Sequence, residues 1–388
     1  MSRAVEHVTA VVAARPNFVK MAPVVAALAD GLGIAVRVVH TGQHYDPALS
    51  DSFLEQLGMP RPDLNLEVGS ATHAEQTARV MVGIERALKE RPTQALVVAG
   101  DVNSTMAAAL AAAKLGVPIV HVESGLRSGD WTMPEEINRV VTDRVSDLLL
   151  CTCDDAVDNL AAEAIVGDGV ALVGNTMIDS LRRLLDAAQA AAPLAMHRLQ
   201  PGEYVLVTLH RPALVDDPAA LLSVLEALDE IAARLPVVFP IHPRTRARLE
   251  RAGAPTTRVA LLEPLSYLEF LGLEASARLV ITDSGGVQEE TSALGVPCLT
   301  YRTTTERPVT ITLGTNRLVG TDPEALLAAC RKAMASSPSG SPAPIPLWDG
   351  AAGPRAAAAI SSLLAEPRGR STGQPPDGSG VGRRTRHI

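Results

Sequence analysis

Short, unbroken apolar runs rich in Val alternate along the chain with longer stretches rich in Ala and Leu. In the first half the short runs are VTAVVAA, VRVVHT, ALVVAG, PIVHVES and DLLLCT. Between them lie stretches of helical period such as KMAPVVAALAD, TARVMVGIERALKE and STMAAALAAAKLG. Continuous apolar runs are what strands buried on both faces look like, and their alternation with helices predicts βαβ units around a parallel sheet. A second series follows VGNTMIDSLRRLLDAAQAAA, with strands at YVLVTL, VVFPIH, VALLEP, LVITDS and PCLTYR. The pattern therefore predicts an α/β protein of two domains joined near residue 175. The first is expected to span 1–175, with a C-terminal helix at 352–365 returning to it, and the second 176–346. The Gly-, Pro- and Ser-rich tail 367–388 is expected to be disordered.

Length and composition fit this picture. A chain of 388 residues, 47% of them apolar, can bury two cores. Aromatic residues make up only 3%, so Ala, Val and Leu must fill those cores. The formal net charge is -8, while the last 23 residues carry five Arg against Glu366 and Asp377. The body is thus more acidic than the whole, which argues against general nucleic-acid binding. Cys151 and Cys153 stand one residue short of a CxxC spacing, with no second Cys or His cluster nearby. Together with Cys298 and Cys330 they read as buried free thiols in a reducing compartment. The N-terminus has no signal-peptide cleavage pattern and no apolar run reaches spanning length, so the expectation is a cytoplasmic protein without membrane association.

The polar residues are not spread evenly. They gather just after the predicted strands: Arg15–Lys20, Gly42–Asp46, Asp101–Thr105, Glu123–Arg127, His210-Arg211, His242–Arg244 and Asp283–Gly286. Ligands of open parallel sheets bind at the carboxyl ends of strands, so two such sheets facing each other would form an interdomain cleft. DSGGVQEE, at 283–290, has two readings. Gly-Gly at a helix start lets backbone N–H groups approach a phosphate, with Glu289 or Glu290 accepting from sugar hydroxyls. Alternatively, Asp283 or Ser284 caps a helix and the acids suit its dipole. GxGxxG after the first strand, GxxxxGK[ST], HExxH and GxSxG are all absent, which removes support for the common dinucleotide, ATP, metalloprotease and α/β-hydrolase sites.

HVESGLRSGDWTMPEEINRVVTDRVSD is the second unusual segment. Glu135 and Arg139, four apart, could be a surface ion pair. Glu123, however, ends an apolar run that should be buried, and a carboxylate there needs a partner or a task.

Together these segments resemble the non-hydrolysing UDP-N-acetylglucosamine 2-epimerases. The resemblance runs from about Val8 to Gly320 and is carried by RPNFVKMAP, TGQH, GDVNST, HVESGLRSGD, PEEINR, VGNTMIDSL, HRP, TDSGGVQEE and TERP in the family's order. It implies two Rossmann-like domains in the GT-B arrangement, an active site in the cleft, a homodimer, and no redox cofactor or metal. It also implies site residues. Asp101, Glu123 and Glu135 match carboxylates of acid/base catalysis, and His210 matches the catalytic His of an HR motif. Arg15 and Lys20 match a basic pair near the nucleotide sugar, and Arg139 a partner in the acidic segment. His242 is carried over as substrate-binding. Ser284, Gly285 and Gly286 match the diphosphate turn, Glu290 the acid on the ribose hydroxyls, Phe270 the residue beside uracil, and Arg307 an Arg on the diphosphate side. There are departures: Ala13-Ala14 replace the usual Gly-Thr, Pro212-Ala-Leu follows HR, and YDPAL follows QH, where bacterial members bind a second, activating substrate.

The activity implied is reversible C2 epimerisation of UDP-N-acetylglucosamine to UDP-N-acetylmannosamine by UDP elimination through a 2-acetamidoglucal. Three rivals remain on the sequence alone: a 2-epimerase of another UDP-2-acetamido sugar such as a diacetamido uronic acid, a GT-B glycosyltransferase, and a non-catalytic sugar-nucleotide sensor. The partner in every case is a UDP-sugar.

Overall fold

Buried on both faces, the Val-rich runs pair into two wholly parallel sheets. The structure is a computed structural model that describes residues 7–42, 51–253, 256–335 and 344–365. The first sheet holds β1 (His7–Val12), β2 (Ala35–His40), β3 (Leu64–Asn65), β4 (Ala95–Ala99), β5 (Ile119–Ser124), β6 (Leu148–Cys151) and β7 (Val170–Leu172). The second holds β8 (Val205–Thr208), β9 (Val237–Pro240), β10 (Ala260–Leu262), β11 (Leu279–Thr282), β12 (Cys298–Thr300) and β13 (Asn316–Leu318). Every residue of β1, β4, β5 and β6 is buried. All ten strands expected from the hydrophobic pattern are present. β3, β7 and β13 were not expected; each has only two or three residues and lies on a sheet edge.

Strand order decides where a ligand can go. It runs β3-β2-β1-β4-β5-β6-β7 in the first sheet and β10-β9-β8-β11-β12-β13 in the second. Chain direction across each sheet therefore reverses between β1 and β4, and between β8 and β11. At such a switch point the loops diverge and leave a crevice beyond the strand ends. The polar clusters after β1, β4, β8 and β11 border these two crevices.

The helix Ala352–Ala365 lies against the first long helix, Arg15–Ala26. Gly353 makes the contact close, since a Cβ there would meet the Pro23 carbonyl oxygen at 2.6 Å. Ala356, Ala357 and Ile360 join the core that also contains Phe18, Met21, Val24 and Val25. The same cluster includes Tyr267 and Leu271 from beyond residue 200, so packing is continuous between the two halves. All four cysteines are buried and unpaired. Burial pushes the thiols of Cys151, Cys298 and Cys330 up to about 12, as suits inert core groups. No helix among the described residues is long and apolar enough to cross a membrane. The tail 367–388 and Gln43 to Ser50, which include the segment after QH, lie outside the described residues.

Candidate active site

Three strand ends of the first sheet converge on one carboxylate. Glu123 is the penultimate residue of β5, where the pairing with β6 shifts register between Val122 and Ser124. Its φ of 66° lies in the left-handed region, an uncommon and strained place for a residue with a side chain. The bulge aims the side chain along the crevice instead of into a sheet face. Its side chain is only 3% exposed, and two cations hold it: Lys20 Nζ at 2.6 Å from Oε2 and Arg307 Nη2 at 2.7 Å from Oε1. Lys20 comes from the helix after β1. Its ammonium passes beside Gly100, where a Cβ would sit 3.2 Å from Nζ and where φ is +67°. The positive φ calls for glycine at the end of β4, and the ammonium leaves little room for a Cβ there.

Asp101 follows that glycine. Burial would raise its pKa, but Arg139 and then Lys20 outweigh it and hold the carboxyl below its ordinary range. Arg139 grips Asp101 with one nitrogen and Glu136 with another. Glu136 also accepts from the Ser128 and Gly129 amides, so it fastens the loop that precedes its own helix, Pro134–Val145. Of the two adjacent acids, Glu136 is buried and committed to the loop, whereas Glu135 is exposed. Glu135 faces Arg211 electrostatically across the gap, and Arg211 Nη1 lies 3.5 Å from the sulfur of Met133. Glu135 and His210 thereby stand on opposite lips of one cleft.

The backbone before Asp101 is held from behind by a buried histidine. His121, buried in β5, bridges the Gly100 carbonyl oxygen through Nε2 at 2.9 Å and Asp143 through Nδ1 at 2.6 Å. Burial works against the Asp143 carboxylate, but His121 and Arg127 pull it below its ordinary range.

In the second sheet, Asp283 organises the opposite lip. Its Oδ2 accepts from the His210 and Arg211 amides at 2.9 and 2.8 Å, tying the end of β11 to the end of β8. The His210 ring is exposed, with Nδ1 at 3.2 Å from Asp283 Oδ1, a contact outside hydrogen-bond alignment. The helix Gly285–Leu294 starts here, and Ser284 does not cap it with its side chain. No acid lies in its first turn. The helix-cap reading of DSGG is therefore not what the structure has: Asp283 serves the HR loop, and the N-terminal amides of this helix keep their capacity for an anion. The Ser284 amide is an exception, since it already donates to the Thr282 hydroxyl at 2.9 Å.

Arg307, expected on the diphosphate side, is engaged by carboxylates. Fully buried, it is shared among Glu123, Glu306 and Glu289, with Nε at 2.8 Å from Glu289 Oε2. A Cβ on Gly285 would meet Arg307 Nη1 at 2.4 Å, so this glycine makes room for the guanidinium as much as for a ligand. Glu289 also accepts from Asn175 Nδ2 at 2.9 Å. Burial, reinforced by the charge of Glu123, pushes Glu289 up to about 7 despite Arg307. Glu306 is the reverse case: burial opposes the charge, but Arg307 and Arg302 hold it far below the carboxylate range.

Glu290, the next residue, is buried and accepts from the Tyr267 hydroxyl at 2.6 Å. Half-buried Arg15 acts electrostatically on both. Phe270 is half-buried against the apolar cluster of Leu206, Val280 and Val287. His242, at the end of β9, is exposed. The structure thus brings Lys20, Asp101, Glu123, Arg139 and Arg307 into one ionic network and sets Arg15 beside Glu290. Sequence reasoning passed over Glu306 and Asn175; it considered Asp283 only as a helix cap and Glu289 only as an alternative to its neighbour.

Comparison with known proteins gives the family and the fold. A family model described as UDP-N-acetylglucosamine 2-epimerase matches residues 26–361. A UDP-2,3-diacetamido-2,3-dideoxy-D-glucuronate 2-epimerase of Pseudomonas aeruginosa is 44% identical over 84% of this chain and 91% of its own length. A UDP-N-acetylglucosamine 2-epimerase of Methanocaldococcus jannaschii is 40% identical over 81% of this chain and 88% of its own. The crystal structure of the M. jannaschii UDP-GlcNAc 2-epimerase in complex with UDP-GlcNAc and UDP superposes with a TM-score of 0.84 at 37% identity, covering 92% of this chain and 99% of that one. The two parallel sheets and their cleft are the GT-B-like arrangement of these enzymes. The chain belongs to the UDP-N-acetylglucosamine 2-epimerase family.

Proposed function

We propose that this protein inverts C2 of a UDP-2-acetamido sugar, with UDP-N-acetylglucosamine and UDP-N-acetylmannosamine as the reference pair. The observation that carries the reading is Glu123. A strained, buried carboxylate gripped by Lys20 and Arg307 lies at the strand-end crevice, in one ionic network with Asp101 and Arg139. C2 of such a sugar has no neighbouring carbonyl, so its hydrogen is removable only once a leaving group departs from C1. The C1–O bond breaks first and its electron pair leaves with the diphosphate. A carboxylate then takes the C2 proton, and the C–H electrons close a C1=C2 bond. Return of a proton to the opposite face and of the UDP oxygen to C1 completes the inversion, with no net redox change.

This chain supplies what each step needs. The uncapped helix start at Gly285–Gly286, with exposed His210, faces the charge that builds on the leaving diphosphate. Asp101, Glu123 and Glu135 are the proton carriers for the two faces of C2. Glu290 accepts from the ribose hydroxyls, Arg15 and Lys20 add positive charge on the nucleotide-sugar side, and Phe270 lies toward the base. Arg307 acts by orienting Glu123. Closure of the two halves would keep water off the unsaturated intermediate. We further place the enzyme in the cytoplasm, as a homodimer of chains each divided near residue 175 and feeding a polysaccharide pathway.

A second reading is favoured by the 44% identity to the diacetamido-glucuronate enzyme: the same chemistry on a UDP-diacetamido uronic acid. Proton NMR of the protein with each UDP-sugar separately, and nothing else added, tests both. Conversion of one sugar to its C2 epimer identifies the substrate. Turnover only on addition of an acceptor would assign a glycosyltransferase instead.

A further inference from the structure

Glu274 is the most poorly solvated carboxyl in the described chain that the proposed chemistry does not use. It sits on the helix Tyr267–Ser276 with 0% exposure, inside the apolar layer that holds Tyr204, Leu206 and Leu273. Among the described residues no donor group reaches either of its oxygens. The polar group it meets there is the carboxyl of Glu290 on the neighbouring helix. Two carboxyl groups can meet there only if one carries a proton.

The surroundings decide which one. Glu290 already accepts from the Tyr267 hydroxyl at 2.6 Å and lies within the field of Arg15. Glu274 has neither a cation nor a donor. The proton therefore resides on Glu274 and points at Glu290. The ionisable groups that act on this pair from neighbouring elements are Tyr204, Tyr267 and Cys298, all driven by burial toward their neutral forms, together with Arg15.

We propose that Glu274 is a positioning residue for nucleotide recognition: its carboxyl O–H donates to Glu290 and, with the Tyr267 hydroxyl, fixes that carboxylate as the acceptor for the two ribose hydroxyls. This rests on Glu290 being the ribose contact. A carboxylate that must accept from a vicinal diol needs one fixed rotamer, and two donors from behind provide it without occupying the side that faces the ligand. The same arrangement explains why an apolar layer retains an acid that replacement by a hydrocarbon would leave better solvated.

UDP binding by calorimetry, with melting temperature, tests this on wild type, Glu274→Leu, Glu274→Gln and Glu290→Gln. Glu274→Leu should weaken UDP binding roughly three- to tenfold, the scale of one or two hydrogen bonds, while the melting temperature holds or rises. Glu274→Gln retains a donor toward Glu290 and should bind within about twofold of wild type. Wild-type affinity should also fall on the alkaline side as Glu274 loses its proton and a second negative charge faces Glu290, and Glu274→Gln should lack that fall. If Glu274→Leu binds UDP as wild type does while Glu290→Gln is weakened, the positioning role is wrong and the ribose contact survives. If Glu290→Gln is also unchanged, the ribose reading fails and this inference with it. A lowered melting temperature in Glu274→Leu without loss of UDP affinity would make Glu274 purely structural.

Discussion

Replacing Lys20 by Met removes one charge from the centre of the site and keeps the length of the side chain. Lys20 Nζ lies 2.6 Å from Glu123 Oε2, with the two side chains 9% and 3% exposed. Breaking a buried pair by deleting one partner costs about 3–5 kcal/mol, because the survivor stays buried and uncompensated. Arg307 remains on the other oxygen of Glu123 at 2.7 Å, so the lower end, about 3 kcal/mol, is expected. The second consequence is electrostatic. Asp101 is held below its ordinary range against burial by Arg139 and, next, by Lys20. A carboxyl with a lowered pKa contributes stability at pH values above its unfolded pKa, and that contribution is lost as pH falls through the lowered value. Without Lys20 the lowering shrinks, so the ionised form of Asp101 is lost at a higher pH. The acid limb of the kcat/KM profile, which reports the free enzyme, should move up by about one pH unit, the lower end of what one adjacent charge does to a carboxyl. Denaturant midpoints and a pH–rate profile of Lys20→Met against wild type measure both effects. A variant as stable as wild type with an unmoved acid limb would refute the assignment of Lys20 to the charge balance of the site.

Glu289 gives a prediction of opposite sign. Its rise from 4.5 to about 7 means that ionising it disfavours the fold, by about 3 kcal/mol at 1.36 kcal/mol per pH unit. Wild-type stability should therefore decline on this account between about pH 4.5 and 7, and Glu289→Gln should lack that part of the decline in denaturation series across the range. Asp143→Asn leaves Arg127 and His121 without their shared carboxylate; because Arg127 keeps Glu163, the lower end of the cost of breaking a buried pair, about 3 kcal/mol in a urea titration, is expected, with Asp101 misplaced and kcat falling more than KM rises. Asp283→Ala releases the His210 and Arg211 amides from one acceptor, so kcat should fall at least tenfold while the spectroscopic helix content stays that of wild type.

The ten expected strands were legible because they lie in apolar runs, most of them covered on both faces, and the cleft was legible because polar residues follow those runs. Asp101 and Glu123 could be picked out for the same reason, each being charged at the end of an apolar run, whereas Lys20 was carried over from the family resemblance. What the sequence hides is pairing. Nothing local distinguishes Glu289 from Glu290, yet one turns to Arg307 and the other to Tyr267. Likewise Glu135 and Glu136 are neighbours of one type, and only the loop held by the Ser128 and Gly129 amides makes Glu136 the buried one. Asp283 looked like a helix cap because Asp before Gly-Gly usually is one, whereas its acceptor is taken by a loop some seventy residues earlier, at His210 and Arg211. Glu274 gave no sign at all, being an acid in a helix whose exposed face could have carried it.

The most direct test of the central claim is deuterium at C2. The protein is incubated in deuterium oxide with the UDP-2-acetamido sugar that it turns over, and the recovered epimer is examined by proton NMR. Removal and return of the C2 proton by side-chain carboxyls predicts epimer carrying deuterium at C2, with free UDP and the 2-acetamidoglucal building up at long incubation. Epimer that keeps its original C2 hydrogen, with no glucal released under any condition, would contradict the account.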